Sequence, residues 1–143
     1  MSIISFEGPQ GTGKSVSAVG LAYEEHCATG RKVISNNHLN FPYTHFDIEY
    51  FLAHIADEEL QNCILFLDEA YQYMDSRLSQ SKISRLFTWF IVQTRKRGVD
   101  MYICTHHILN VDIRLRRAID IRGTCRFFSE EPCKECHGNK VSK

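Results

Sequence analysis

The sequence predicts an α/β domain of three layers, with helices on both faces of a mainly parallel sheet. Three observations carry that expectation. Short apolar runs alternate with segments of helical period along most of the chain. A glycine-rich loop, Gly8-Pro9-Gln10-Gly11-Thr12-Gly13-Lys14-Ser15, directly follows the first apolar run and opens a helical segment. Finally, Cys63-Ile64-Leu65-Phe66-Leu67 is apolar without interruption, as a strand covered on both faces must be, and it ends in Asp68-Glu69.

Taken in order, Ile3-Ile4-Ser5-Phe6 forms the first strand. The loop after it has the spacing G-x-x-x-x-G-K-[ST]. Gly8, Gly11 and Gly13 let the backbone curl so that its N–H groups converge on a phosphate chain. Lys14 then reaches the outer phosphates and the Ser15 hydroxyl ligates Mg²⁺. With Pro9, Gln10, Thr12 and Val16 these residues form the expected cradle for ATP. A helix over residues 15–29 points its N-terminal dipole at the same anion. Val16, Val19, Leu21, Ala22 and Tyr23 supply its apolar contacts, and Gly30 ends it.

Lys32-Val33-Ile34-Ser35 is a short buried strand, and residues 36–43 are loop, with Pro42 disfavouring helix before it. Asp47 caps a helix to about His54 that buries Ile48, Phe51, Leu52 and Ile55. After the central apolar strand, Asp68 is placed to hold the Mg²⁺ shell and Glu69 to polarise an attacking water. Residues 76–84 are polar and read as a loop on the nucleotide side. Ile83, Leu86, Phe87, Phe90 and Ile91 then mark one buried helix face, ending in Arg95-Lys96-Arg97-Gly98, where the cations complement the helix C-terminus. Met101-Tyr102-Ile103-Cys104 is the next strand, with Thr105-His106-His107 at its carboxyl end. Asn110 is expected to cap a short helix, and residues 119–128 to close the sheet.

The 143 residues suit one domain: residues 1–128 as the nucleotide-binding unit and 129–143 as a cysteine-containing tail. With 43% hydrophobic and 24% charged residues the composition is that of a globular protein. No apolar run approaches the ~18 residues of a membrane span, and the chain opens on a strand, so a cytoplasmic location is expected. Net charge is zero but uneven. Residues 1–70 hold three Lys or Arg against ten Asp or Glu, and the second half carries the matching basic excess, a candidate surface for a polyanion. The six cysteines are too scattered for a disulfide framework, and Cys63 and Cys104 read as small core residues. Cys125, Cys133, Cys136 and His137 offer up to four zinc ligands; reduced cysteines in a tail are the other reading.

From residue 3 to about 122 the chain resembles the FtsK and HerA superfamily of P-loop ATPases, and within it the zonular occludens toxin-like and viral genome-packaging ATPases. The residues carrying the likeness are Gly8 to Ser15, the strand ending in Asp68-Glu69-Ala70, Thr94-Arg95-Lys96-Arg97-Gly98-Val99-Asp100, and Thr105-His106-His107 to Val111-Asp112-Ile113-Arg114. The resemblance implies a P-loop NTPase fold of the RecA/ASCE type and an ATP-hydrolysing DNA translocase or packaging motor. It also implies a homohexameric ring with DNA passing through its centre. A strand-end sensor contacts the γ-phosphate in such proteins, and His106 stands where Gln is usual. They supply an arginine in trans; Arg95, Arg97, Arg114 and Arg117 are candidates, with Arg97 favoured for its closeness to a strand end. Lys14, Glu69, His106 and Arg97 are thus the expected catalytic set.

The loop at 76–84, with Arg77 and Lys82, is the expected strand-contacting element. Two other functions fit the same motifs: a nucleoside kinase of the thymidine type, and an ATP-dependent assembly protein of low turnover.

Overall fold

A computed structural model describes residues 2–69 and 82–126. Its strands are β1 (Ile3–Glu7), β2 (Val33–Ser35), β3 (Thr44–His45), β4 (Ile64–Leu67), β5 (Asp100–Thr105) and β6 (Ile121–Thr124). The helices are α1 (Lys14–Thr29), α2 (Ile48–His54), α3 (Lys82–Arg97) and α4 (Ile113–Ala118), with short 3₁₀ turns at Glu58–Leu60 and Ile108–Asn110. The strands lie in the order β3-β2-β4-β5-β1-β6. Every pairing is parallel, so the expected α/β three-layer sandwich is observed.

Alternation along each strand sorts side chains into two cores. Leu65 and Leu67 of β4 join Met101 and Ile103 of β5 on one face, where Phe51 of α2, Phe87 and Phe90 of α3 and Leu115 of α4 cover them. Ile64 and Phe66 join Tyr102 and Cys104 on the other face, under Ala18 and Ala22 of α1. The aromatic rings on the first face form one cluster, with Phe51 5.4 Å from Phe87 and 5.6 Å from Phe90. At these separations rings gain contact energy beyond their buried area.

Several helix expectations hold. The Asp47 side chain accepts the Tyr50 N–H at 2.7 Å and starts α2, and Phe51 is the residue of that helix that is fully buried. Gly30 ends α1 in the left-handed region, its N–H donating to the His26 carbonyl at 2.8 Å. Along α3, Phe87, Phe90 and Ile91 are buried at the expected period, together with Ser84 and Thr94.

Others are corrected. Helix α1 packs on the sheet through alanine rather than through its larger residues: Val16 is 77% exposed, and Leu21 and Tyr23 are exposed too. A helix lying close over β1, β4 and β5 has room for a methyl at the contact, and bulk is turned outward. Residues 82–84 belong to α3 rather than to a loop, and the remainder of the 76–84 segment, Arg77 included, lies outside the described residues. Strand β3 is two residues long, too short for any periodic signal. Asp112, not Asn110, caps α4, accepting the Arg114 N–H at 2.8 Å, because residues 108–110 are taken up by a 3₁₀ turn. Among the described residues of the expected 119–128 strand, β6 takes up Ile121–Thr124, and 127–128 lie outside them.

Candidate nucleotide site

Strand order brings the site together. Because β5 lies between β1 and β4, the carboxyl ends of these three strands place the glycine loop, Thr105-His106 and Asp68-Glu69 side by side. They line one cleft of about 390 Å³ with Gln10, Gly11, Gly13, Lys14, Ser15, Val16 and Cys104. Six of the nine residues expected to cradle ATP are in its wall; Gly8, Pro9 and Thr12 shape the loop behind it.

The loop's own bonds explain its shape. The Pro9 carbonyl accepts the Thr12 hydroxyl at 2.6 Å and the Lys14 ammonium at 3.0 Å. Gly13 sits at φ 87°, and a Cβ built there would meet nothing within 4 Å, so glycine serves backbone direction rather than packing. Gly8 is needed for a different reason: a Cβ at that position would lie 2.4 Å from the Cys125 carbonyl oxygen. Lys14 is 8% exposed, and its one hydrogen bond among the described residues goes to a neutral carbonyl. A buried ammonium in that state is far better matched by an anion.

Across the cleft, Ser15 donates its hydroxyl to Asp68 Oδ2 at 3.0 Å. Asn37 donates to the same oxygen at 3.3 Å, and the Glu69 N–H donates to the other at 3.0 Å. Asn36 grips the Asp68 backbone from both sides, accepting its N–H and donating to its carbonyl, each at 2.8 Å. Glu69 follows at φ 52°, a left-handed conformation that a non-glycine residue adopts at some cost. The result is a tight turn presenting two carboxylates to the loop. Ser15 Oγ and Asp68 form a pair of hard oxygen donors, which fits Mg²⁺, an ion that takes few protein ligands besides phosphate and water.

His106 lines the cleft and is exposed, whereas His107 turns away, its Nδ1 accepting the Leu109 N–H at 3.1 Å. The Cys104 thiol is pushed up to about 12 by burial, so it is an inert part of the wall. Asn36 and Asn37 were not singled out from sequence. Their signal was available, two amide side chains directly after a strand at the sheet's carboxyl edge. A second cleft of about 460 Å³ adjoins Asp68 and Glu69, lined also by Asn36, Asn37, His45, Phe46, Asp47 and Ile48.

The structure does not bring Arg97 to the cleft. It ends α3 at the amino edge of the sheet, where its carbonyl accepts the Asn62 N–H and its guanidinium lies 5.3 Å from the Trp89 ring centroid. Helix α3 runs back to the edge opposite the nucleotide loop, so Arg97 serves no role in its own chain's cleft, and a role in trans is a matter of how copies assemble. Arg95 is bonded to Asp120 at 2.7 Å and Arg114 to Asp112 at 2.9 Å. Arg117 is exposed on α4, with no partner among the described residues. Of the zinc candidates, Cys125 is described and half-buried as a free thiol, while Cys133, Cys136 and His137 lie outside the described residues. Among the described residues no group of three His, Cys, Asp or Glu could hold a metal. Nor is any described helix long and apolar enough to cross a membrane.

Residues 4–126 match the model of the ATPase family associated with various cellular activities (AAA). The fold is similar to the N-terminal domain of zonular occludens toxin from Neisseria meningitidis, with TM-score 0.69 and 21% identity over 82% of this chain and 73% of that one. It is similar as well to the genome packaging NTPase B204 of Sulfolobus turreted icosahedral virus 2 in complex with ATP-γS, with TM-score 0.67 and 15% identity over 92% and 76%. A chain of the HORMA:CdnC:Trip13 complex of E. coli MS115-1 aligns with TM-score 0.63 and 13% identity over 90% of this chain and 49% of that one. No curated protein sequence matches this chain.

Proposed function

This chain belongs to the AAA family of ATPases, and from that premise we propose that it is an ATP-hydrolysing motor acting on DNA as an oligomeric ring. The observation that carries hydrolysis is the turn at Asp68-Glu69, braced by Asn36 and Asn37 and facing Ser15 across 3.0 Å. In this reading Gly8 to Val16 wrap the phosphates and Lys14 exchanges the Pro9 carbonyl for them. Ser15 and Asp68 would hold Mg²⁺, which would supply charge neutralisation on the transferring group. Glu69 takes a proton from the attacking water, and His106 donates a hydrogen bond to the outer phosphate. Similarity to a packaging NTPase and the basic second half of the sequence support nucleic acid as the partner.

For the trans arginine the favoured residue is now Arg117, which is exposed and uncommitted on α4. A hexamer is the state that the family resemblance supports, and the zinc reading of the tail is a proposal from spacing alone.

The test is ATP turnover with and without DNA, together with mass in solution. Stimulation by DNA and a species of about six subunits support the motor. A second reading is supported by the cleft at Asn36, His45 and Asp47, which shares Asp68 and Glu69 with the nucleotide cleft and offers room for an acceptor nucleoside. ATP consumed only when a nucleoside is added would establish the kinase instead. Glu69→Gln separates the motor from an assembly protein: in the motor it should lower turnover about 10²- to 10⁴-fold while ATP still binds, and in an assembly protein it should change little.

A further inference from the structure

Helix α3 contains five Lys or Arg and no acidic residue. Its buried residues, Ser84, Phe87, Phe90, Ile91 and Thr94, define one side. Diametrically opposite, at helical spacing, run Lys82, Arg85, Trp89, Val92 and Lys96, all exposed. Trp89 is 46% exposed and Val92 69%. The ring of Trp89 is held by the Arg97 guanidinium 5.3 Å from its centroid, a cation–π contact that fixes the indole at the surface. Lys82, Arg85 and Lys96 have no carboxylate partner among the described residues. From Lys82 to Lys96 the stripe extends about 21 Å at 1.5 Å per residue.

We propose that this outward face of α3 is a single-stranded nucleic-acid contact, with Trp89 stacking on a base and Lys82, Arg85 and Lys96 meeting the flanking phosphates. A solvated helix face ordinarily mixes both signs of charge and does not expose a tryptophan at its centre. Cations alone would serve any polyanion. An aromatic platform between them suits a strand whose bases are unstacked and available, because every base has a π-face. A duplex keeps its bases inside and leaves the indole without a partner.

The proposal rests on the nucleic-acid reading above, and its test separates the two. Trp89 is the chain's only tryptophan, so its emission reports this face directly. Oligothymidylate and oligouridylate are titrated into the full chain at low salt, with binding followed by both strand anisotropy and tryptophan emission. Quenching that saturates with the anisotropy change supports the contact. So does a loss of about 5- to 100-fold in affinity for Trp89→Ala with Trp89→Phe close to wild type. Joint replacement of Lys82, Arg85 and Lys96 by Ala should reduce the salt slope by about 2. Strands that bind without quenching, and equally well to these variants, overturn the contact while leaving DNA as partner. Emission that changes with protein concentration and not with nucleic acid overturns it in favour of a second copy on this face. No binding of these strands by either signal overturns the contact as well, and the nucleic-acid reading falls with it only when a duplex titrated in the same way also fails to bind.

Discussion

At position 8 the fold leaves no space for a side chain. A Cβ there would sit 2.4 Å from the Cys125 carbonyl oxygen, at a φ of 154°. Gly8→Ala is therefore expected to lose stability by about 1–3 kcal/mol, and denaturant melts with an unmoved midpoint would refute this. The glycine was legible as part of a motif; that its neighbour is the Cys125 carbonyl was not, because 117 positions separate them. Asn36 makes the same point at the carboxylate turn. It satisfies both backbone groups of Asp68, so Asn36→Ala should cost about 1–3 kcal/mol and depress ATP turnover with ATP affinity nearly kept. Parallel binding and hydrolysis assays check the split; equal losses in both would show that Asn36 acts on the whole pocket rather than on the turn. Nothing in an Asn-Asn pair after a short strand announces its partner, since amides are common in loops.

Among the elements, α3 was readable from its single apolar side and α2 from its Asp47 cap and Phe51, although Leu52, expected in the core, is 45% exposed. The α2 start depends on Asp47, and Asp47→Ala should cost about 1 kcal/mol through the lost Tyr50 N–H bond. Thermal melts test it, and a Tm shift absent from Asp47→Ala would mean the helix is held by Phe51 alone. Helix α1 was misread at the residue level, because apolar residues occur all round it and periodicity does not choose a side. Contact with the sheet chose the alanines. Ala22→Leu is accordingly expected to destabilise by about 1–3 kcal/mol through overpacking, whereas Val16→Ala, on the exposed side, should change stability by less than about 0.5 kcal/mol. Comparable shifts in the two variants would contradict this packing.

For the molecule as a whole, a partly buried polar cluster ties α1 to the amino edge of β5. Arg31 bonds both Glu25 and Asp100, and Tyr102 donates to Glu25 at 2.6 Å. Burial alone would raise the Asp100 carboxyl, but hydrogen bonds with Glu25, Arg31 and the Ser2 N–H outweigh it and hold it well below the carboxylate range. Glu25 moves the other way, raised by burial and by Asp100. The unfolded chain thus binds more protons at Asp100 than the folded one. Its stabilisation is complete above the unfolded value of about 4 and is lost as pH falls toward the folded one. Glu25 has the opposite sign, costing stability as pH rises through its raised value. Asp100→Asn should flatten the acid limb of a stability profile measured from neutral pH to about pH 3; an unchanged limb would assign acid unfolding elsewhere.

Ring function is also a property of this scale. Arg117→Ala should slow hydrolysis by about 10³- to 10⁵-fold if it is the trans finger. Mixing it with Glu69→Gln should restore part of the activity, since some interfaces then pair an intact site with an intact arginine. No recovery on mixing would exclude a shared site built from these two residues. By itself the sequence determined the alternating α/β layers, the phosphate loop and the carboxylates at the strand end, because each is written in neighbouring residues. Only the tertiary structure decided that β5 separates the loop from Asp68, that Asn36 and Asn37 brace the turn, and that Arg97 lies at the far edge. Those facts depend on strand order and crossover direction, which parallel pairing settles across long separations and no local pattern encodes.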